Sequence, residues 1–313
     1  MFAGISGDGF QAGGANDTRL NGTWDVALQK GEVILVTHSY RVNIFGFLAA
    51  DVLRLRDREA GSTGNYGIQD QRMAMKWTFE NIADFGGNPS SILIAGQSAG
   101  GNSVSQHLVR PASWNYFSSA AMLSGVFADG TFTPRVEDKL SNWNRSVSQH
   151  PPHSVLQRLC CCSTTDCRQH WVCRVLDRLN CSHLSGFATS TEQVRCVVRA
   201  PAAAFLAADL GDHHPWGITV DDVDLTAPGP VLASQGNFHA IPIIVGSTRD
   251  DLTTNYHHAV VGPVGAEPRC RNRFQCTEED FRTFGEVTLG LEPTYLAEFV
   301  STAKPCPNTP EPT

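Results

Sequence analysis

The hydrophobic pattern divides the chain into short apolar runs set between longer amphipathic or polar stretches. Val33 to Val36, inside "GEVILVTHSYRV", is a β-branched run bounded by polar residues. "SILIAG" at 91–96 and "AIPIIVGS" at 240–247 have the same character, and "AAMLSG" at 120–125 is a weaker fourth. Continuous apolar runs of this length, without alternation, predict strands buried on both faces, as in a parallel sheet. Between the first two lies "QDQRMAMKWTFENIADFGGNP", where Met73, Trp77 and Ile82, with Met75 and Phe79, recur at helical spacing until Gly86, Gly87 and Pro89 stop the pattern. This predicts a helix of about four turns. Parallel strands with a helix between them need a right-handed crossover, so the expected fold class is α/β, a central mostly parallel sheet with helices on both faces.

Residues 141–215 break the rhythm, being rich in Ser, His, Arg, Cys and Pro, with one helix expected near 169–179. They read as an insertion over the sheet's carboxyl edge, where folds of this class keep their sites. The tail at 303–313, "AKPCPNTPEPT", reads as disordered. The whole chain, 1–313, is therefore expected to form a single domain carrying one Cys-rich insertion.

Charge narrows the partners. A formal net charge of -7 leaves no basic footprint for nucleic acid. No apolar run approaches the roughly 18 residues of a membrane span, so membrane association is not visible. No signal peptide is visible either, yet seven of the ten cysteines fall between Cys160 and Cys196, and Asn16, Asn21, Asn144 and Asn180 each head a glycosylation sequon. Together these point to a secreted glycoprotein. Cys160, Cys161, Cys162, Cys167, Cys173 and Cys181 contain no paired C-x-x-C knuckles, which favours disulfides over zinc without fixing their connectivity. No metal and no cofactor are expected.

The chemistry centres on Gly96-Gln97-Ser98-Ala99-Gly100. G-x-S-x-G alone is a weak signal, but here it follows the strand-like "SILIA" and precedes "GNSVSQHLV", which continues as a helix. That is the context of a nucleophile elbow, a strained turn that exposes the serine and needs glycines because side chains would collide.

With its surroundings the motif resembles the type B carboxylesterase and cholinesterase family of α/β-hydrolases. The resemblance rests on "GNYGIQDQRMAMKWTFENIADFGGNPSSILIAGQSAGG", "VTHSYRVNIFGFLA" and "VDDVDLTAPGPVLASQGNFHAIPIIVGSTRDD", and covers 1–125 and 216–256. It implies an ester hydrolase acting on a small ester through an acyl-enzyme, with Ser98 as nucleophile and Asp251 in place of the family's usual glutamate. Asp250 is the alternative acid. The oxyanion-hole loop of the family, H-G-G-G-F, becomes "SGDGF", so Asp8 and Gly9 would supply two N–H groups and Ala99 the third. Asp8 departs from the pattern: a carboxylate aimed into the site at about 5 Å costs roughly 3 kcal/mol at an effective dielectric of 20, or about two decades of rate. Gln97 replaces a glutamate and should weaken attraction for cationic substrates. Arg41 and Asp70 match a structural ion pair of the family.

Serine needs a base, and none of the eleven histidines satisfies the expected order Ser, Asp/Glu, His with room for another strand. His213 and His214 precede the acid; His257 and His258 follow Asp251 too closely; His38 and His107 read as structural. The resemblance also implies further strands before Met1 and after Thr313. The chain thus reads as an α/β-hydrolase domain incomplete at both ends, with both sheet edges exposed and the catalytic histidine absent. The rival readings are a non-catalytic adhesion or binding ectodomain and an inactive gene fragment.

Overall fold

The protein is described from a computed structural model, which describes residues 2–56, 61–127, 171–181, 190–208 and 217–248. The chain divides into two compact units, 1–247 and 248–313, and apart from Thr248 the described residues belong to the first.

Five short strands form one sheet: β1 Phe2–Ile5, β2 Leu35–Thr37, β3 Leu93–Gln97, β4 Ser119–Leu123 and β5 Ile243–Gly246. All are parallel, in the order β2-β1-β3-β4-β5. Each of the four apolar runs read from the sequence supplies one strand. The first, β1, had no such signal, since Phe-Ala-Gly-Ile is only four residues long. Its neighbours explain its position: Phe2 stands opposite Leu35 on one side and Leu93 on the other. From β1 the chain moves outward to β2 and then returns to place β3 on β1's other side. The strand order therefore reverses between β1 and β3, and the crevice at their carboxyl ends is where such sheets bind ligands.

Side chains alternate across the sheet, so Ile5, Ile94, Ala120 and Met122 point to one face. Against them pack α4 (Tyr66–Asn81) and α5 (Ala99–Leu108), which contribute Ile68, Met75, Val104 and Leu108 to the same buried cluster. On the opposite face α1 (Thr23–Leu28) and the 3-10 turn Thr18–Leu20 lie over Leu35, so closely that a β-carbon on Gly22 would meet Leu35 Cδ2 at 1.9 Å. Helices thus lie on both faces.

The helix expected from Met73, Trp77, Ile82, Met75 and Phe79 is α4 with the turn after it; Met75, Phe79 and Ile82 do face the core, but Met73 and Trp77 do not. Met73 is 71% and Trp77 53% exposed, whereas Tyr66, Ile68, Gln71, Met75 and Thr78 are buried. Polar Gln71 and Thr78 can face inward because their hydrogen bonds are made, to Ser103 Oγ and to the Ala74 carbonyl. Trp77 instead rests against exposed Phe85, ring centroids 6.3 Å apart.

Two short helices, α2 (Asn43–Phe47) and α3 (Asp51–Arg54), follow β2. Within the Cys-rich stretch the described residues form α6 (Trp171–Arg178), α7 (Ser190–Arg199) and α8 (Ala202–Ala208). Val175, Leu176, Val197 and Ala208 join the core, and Phe205 packs 5.8 Å from Phe45 of α2. A disulfide joins Cys181 to Cys196.

The approach to β5 is pinned by polar contacts. Asn65 Nδ2 donates to the Thr219 carbonyl at 2.8 Å while its Oδ1 accepts from Thr219 N–H at 3.0 Å. Asp221 Oδ1 accepts from the backbone N–H groups of Val223, Asp224 and Leu225. Asp224 receives Arg72 at 2.6 Å and Arg110 at 3.0 Å. Burial alone would raise the Asp224 carboxyl, but the charges of Arg110 and Arg72 outweigh it and hold the group below the usual carboxylate range. Helix α9 (Gly229–Ser234) then leads to β5, whose Ile243, Ile244 and Val245 are 54%, 63% and 55% exposed. Among the described residues no helix is long and apolar enough to cross a membrane.

Candidate active site

The reversal in strand order brings two turns together. One leaves β1 as Ser6-Gly7-Asp8-Gly9-Phe10, and the other leaves β3 at Ser98 and starts α5 at Ala99. They touch: a β-carbon on Gly7 would lie 2.7 Å from the Gln97 carbonyl oxygen and 3.5 Å from Ser98 Cβ.

Ser98 has φ 57 and ψ -124, a conformation that L-residues rarely occupy. Such a residue costs on the order of 1–3 kcal/mol and persists only where its surroundings dictate it. Here they do. Ser98 N–H donates to the Leu123 carbonyl at the end of β4, and its own carbonyl accepts from Asn102 N–H, both at 2.9 Å. The backbone is packed so tightly that no side chain fits beside it. β-carbons on Gly96, Gly100 and Gly101 would lie 2.3 Å from Gly100 C, 2.3 Å from Ile5 O and 2.7 Å from Gly125 O. Gly7 and Gly125 have the same role and were not singled out from the sequence, since their contacts are with residues remote along the chain. Gln97, at the end of β3, is exposed.

The loop after β1 is strained as well, with φ 69 at Asp8, 64 at Gly9 and 62 at Phe10. Phe10 anchors it, fully buried against Phe47 at 4.9 Å, and its carbonyl accepts from Asn43 N–H at 2.6 Å. Asp8 is exposed, and its Oδ2 would lie 3.4 Å from a β-carbon on Gly13. The carboxylate therefore turns toward Gly13 and Tyr40. Burial pushes the Tyr40 hydroxyl up to about 12, with the charge of Asp8 adding to the shift, and that hydroxyl donates to the Ser6 carbonyl at 2.9 Å.

Beside these turns runs a cleft of about 360 Å³ lined by Ser6, Gly7, Gly96, Gln97, Leu123 and Asp25, among others. A larger, open depression of about 630 Å³ lies between α1, β2 and the turn holding Asn16 and Asn21, and no residue of the elbow lines it. The smaller cleft adjoins both turns through Gly7 and Gln97, but Ser98 is not among the residues that line it.

Three histidines lie among the described residues, and none is hydrogen-bonded to Ser98. His107 is fully buried, its ring nitrogens 3.0 Å from Ser113 Oγ and 3.0 Å from Gln71 Oε1. His239 stacks on Trp114 at 5.5 Å. His38 has a buried Nε2 without a partner, and burial lowers it to about 4. Asp250, Asp251, His213, His214, His257 and His258 lie outside the described residues, as does Asn144.

Arg41 and Asp70 come together: Nε and Nη2 each donate to the carboxylate at 2.7 Å, and Arg41 N–H adds a third bond at 2.9 Å. Asn16, Asn21 and Asn180 are exposed. Asn21 Oδ1 accepts from the Thr23 hydroxyl at 2.6 Å and from Thr23 N–H at 3.1 Å. In the third sequon the central residue, Cys181, is fully buried in its disulfide. Among the described residues no cluster of three or more His, Cys, Asp or Glu could hold a metal ion.

A parallel sheet with this order, and a strained serine between strand and helix at its switch point, define the α/β-hydrolase fold. The chain belongs to the carboxylesterase family, whose sequence profile matches residues 2–272. It is 30% identical to acylcarnitine hydrolase of Mus musculus over 221 residues, 71% of this chain and 32% of that one. It is also 30% identical to cholinesterase of Mus musculus over 249 residues, covering 80% of this chain and 36% of that one. Esterase B1 of Culex pipiens is 40% identical over 145 residues, 46% of this chain and 25% of that one. The carboxylesterase of Geobacillus stearothermophilus at pH 6.8 superposes with a TM-score of 0.61 at 27% identity, covering 81% of this chain and 46% of that one. The chain thus spans a quarter to about a third of these sequence relatives' length and about half of the solved enzyme.

Proposed function

We propose that the protein hydrolyses small carboxylic esters through an acyl-enzyme, with Ser98 as nucleophile. The observation that carries this reading is the backbone of Ser98, φ 57 and ψ -124, held between β3 and α5 with the Gly7 turn against it. A turn serving only to reverse the chain gains nothing from a non-glycine residue in that conformation. Attack on the ester carbonyl forms the acyl-serine and expels the alcohol; water then releases the acid. The backbone N–H groups of Asp8, Gly9 and Ala99 are the donors for the developing oxyanion, and Asp251, or its neighbour Asp250, orients a histidine base that takes the serine proton and returns it to the leaving alcohol; none of the three histidines among the described residues fills that role. No cofactor enters the reaction. Secretion, with glycans at Asn16 and Asn21, accords with the Cys181–Cys196 disulfide.

One set of observations favours a second reading, a binding ectodomain without catalysis. No histidine among the described residues reaches Ser98, and Asp8 stands where the resemblance calls for glycine. Hydrolysis of p-nitrophenyl butyrate and labelling by a fluorophosphonate separate the two. Activity and labelling that vanish together in Ser98→Ala support the esterase. A complete protein, soluble and folded, that does neither is the binding module; activity surviving Ser98→Ala removes Ser98 from the mechanism.

A further inference from the structure

Four fully buried polar side chains, Gln71, Ser103, His107 and Ser113, join α4, α5 and the 3-10 turn Pro111–Tyr116. Their proton positions follow from donor chemistry alone. Ser103 Oγ lies 2.9 Å from the Ala99 carbonyl, which can only accept, so the Ser103 hydroxyl donates to it. Gln71 Nε2 lies 3.0 Å from Ser103 Oγ, and an amide nitrogen can only donate. Gln71 Oε1 therefore accepts from His107 Nε2 at 3.0 Å, which leaves His107 Nδ1 to accept the Ser113 hydroxyl proton at 3.0 Å. Every link runs one way, from Ser113 to Ala99. Burial, together with the charges of Arg110 and Arg72, keeps His107 well below its ordinary pKa, in the neutral form the chain needs.

The chain ends on the residue after Ser98. The first turn of α5 packs backbone against backbone, since β-carbons on Gly100 and Gly101 would strike Ile5 O and Gly125 O, and Ser103 adds a side-chain bond to it at the Ala99 carbonyl. Ser103 and His107 stand one and two turns further along the same helix side, and Gln71 reaches both from α4.

We propose that Gln71 and Ser103 are positioning residues that fix the rotation of the first turn of α5, and with it the aim of the Ala99 N–H at the oxyanion. This rests on the reading of Ser98 as nucleophile. Oxyanion donors act only at about 2.7–3.1 Å from the developing charge, and a misplacement of about 1 Å costs about 100-fold in rate. A partial loss of aim falls between that and no effect.

The test uses the full chain with Gln71→Met, which keeps volume without the amide, Ser103→Ala and the double variant. Hydrolysis of p-nitrophenyl butyrate should lose roughly 10-fold in kcat in each single variant with KM within about twofold, a split that general loosening does not produce. The double variant should be no slower than Ser103→Ala, since both act through one carbonyl. Unchanged kcat, or losses that multiply, would overturn the assignment. A wild type that is inactive, or whose activity survives Ser98→Ala, sinks the esterase reading instead. The clamp is then read by amide hydrogen exchange. Exchange at residues 99–103 should quicken about 10-fold in Ser103→Ala, which leaves the Gln71–His107 bond in place, with 104–108 unchanged; an unaltered first turn overturns the proposal in that case too.

Discussion

Gly125 lies so close beneath Ser98 that a β-carbon on it would stand 2.1 Å from the Ser98 carbonyl oxygen. Two loops from different strands are thereby locked at van der Waals distance, and the strained conformation of Ser98 depends on that lock. Gly125→Ala should cost about 3 kcal/mol or more, because neither backbone can retreat without breaking the bond from Ser98 N–H to Leu123. Denaturant midpoints of the two proteins measure it, and a shift under about 0.5 kcal/mol would mean the loops separate freely.

Asp8→Gly tests the direction of the carboxylate. With the side chain turned toward Gly13, removing it should raise kcat/KM by less than about fivefold, far short of the two decades expected of a charge aimed at the oxyanion. Stability should rise by roughly 1 kcal/mol, since glycine adopts the positive φ of 69 without steric cost. A 100-fold rate increase would show the carboxylate reaching the site.

His38 and His107 make stability pH-dependent. Both pKa values are depressed on folding, His38 to about 4 and His107 well below 6.5, so the unfolded chain binds more protons at mildly acidic pH. Their contribution is complete above about pH 6.5 and is lost as pH falls toward the folded values. Between pH 7.5 and 5.5 His38 should remove about 1.4 kcal/mol, with His107 acting in the same direction. Chemical denaturation across that range, repeated with His38→Gln, should show a shallower slope in the variant; parallel slopes would exclude His38.

The Cys181–Cys196 bridge closes a separation of 15 residues, and Cys196→Ser should cost about 3 kcal/mol in the loop-entropy account. It should also open a sequon. In a secreting host the wild type should carry a glycan at Asn21, with its hydroxyl-to-amide contact at 2.6 Å, and none at Asn180. Cys196→Ser should gain one at Asn180. Peptide mapping after deglycosylation decides, and an Asn180 glycan on the bridged protein would refute it.

Much of this arrangement was legible in the sequence where the signal is local. Four apolar runs became β2 to β5, and G-x-S-x-G between strand and helix located the elbow. What escaped depended on contacts distant in sequence. Met73 and Trp77 look like a core stripe but face outward, because Gln71 and Thr78 complete their hydrogen bonds inside. Gly7 and Gly125 are ordinary loop glycines until two turns meet. Nor does any sequence pattern state which way the Asp8 carboxylate points, because its backbone takes a positive φ.

Among the described residues β5 pairs with β4 alone, and its Ile243 and Val245 on one face and Ile244 on the other are each more than half exposed. A branched, uncharged strand with an unpaired border of that kind accepts whatever strand arrives first. Concentration then enters the folding reaction as a reactant: dilute chains refold as individuals, while crowded ones compete for each other's borders. Yield on refolding should accordingly fall as protein concentration rises, and a lysine at Ile244 should relieve the competition without touching the serine turn.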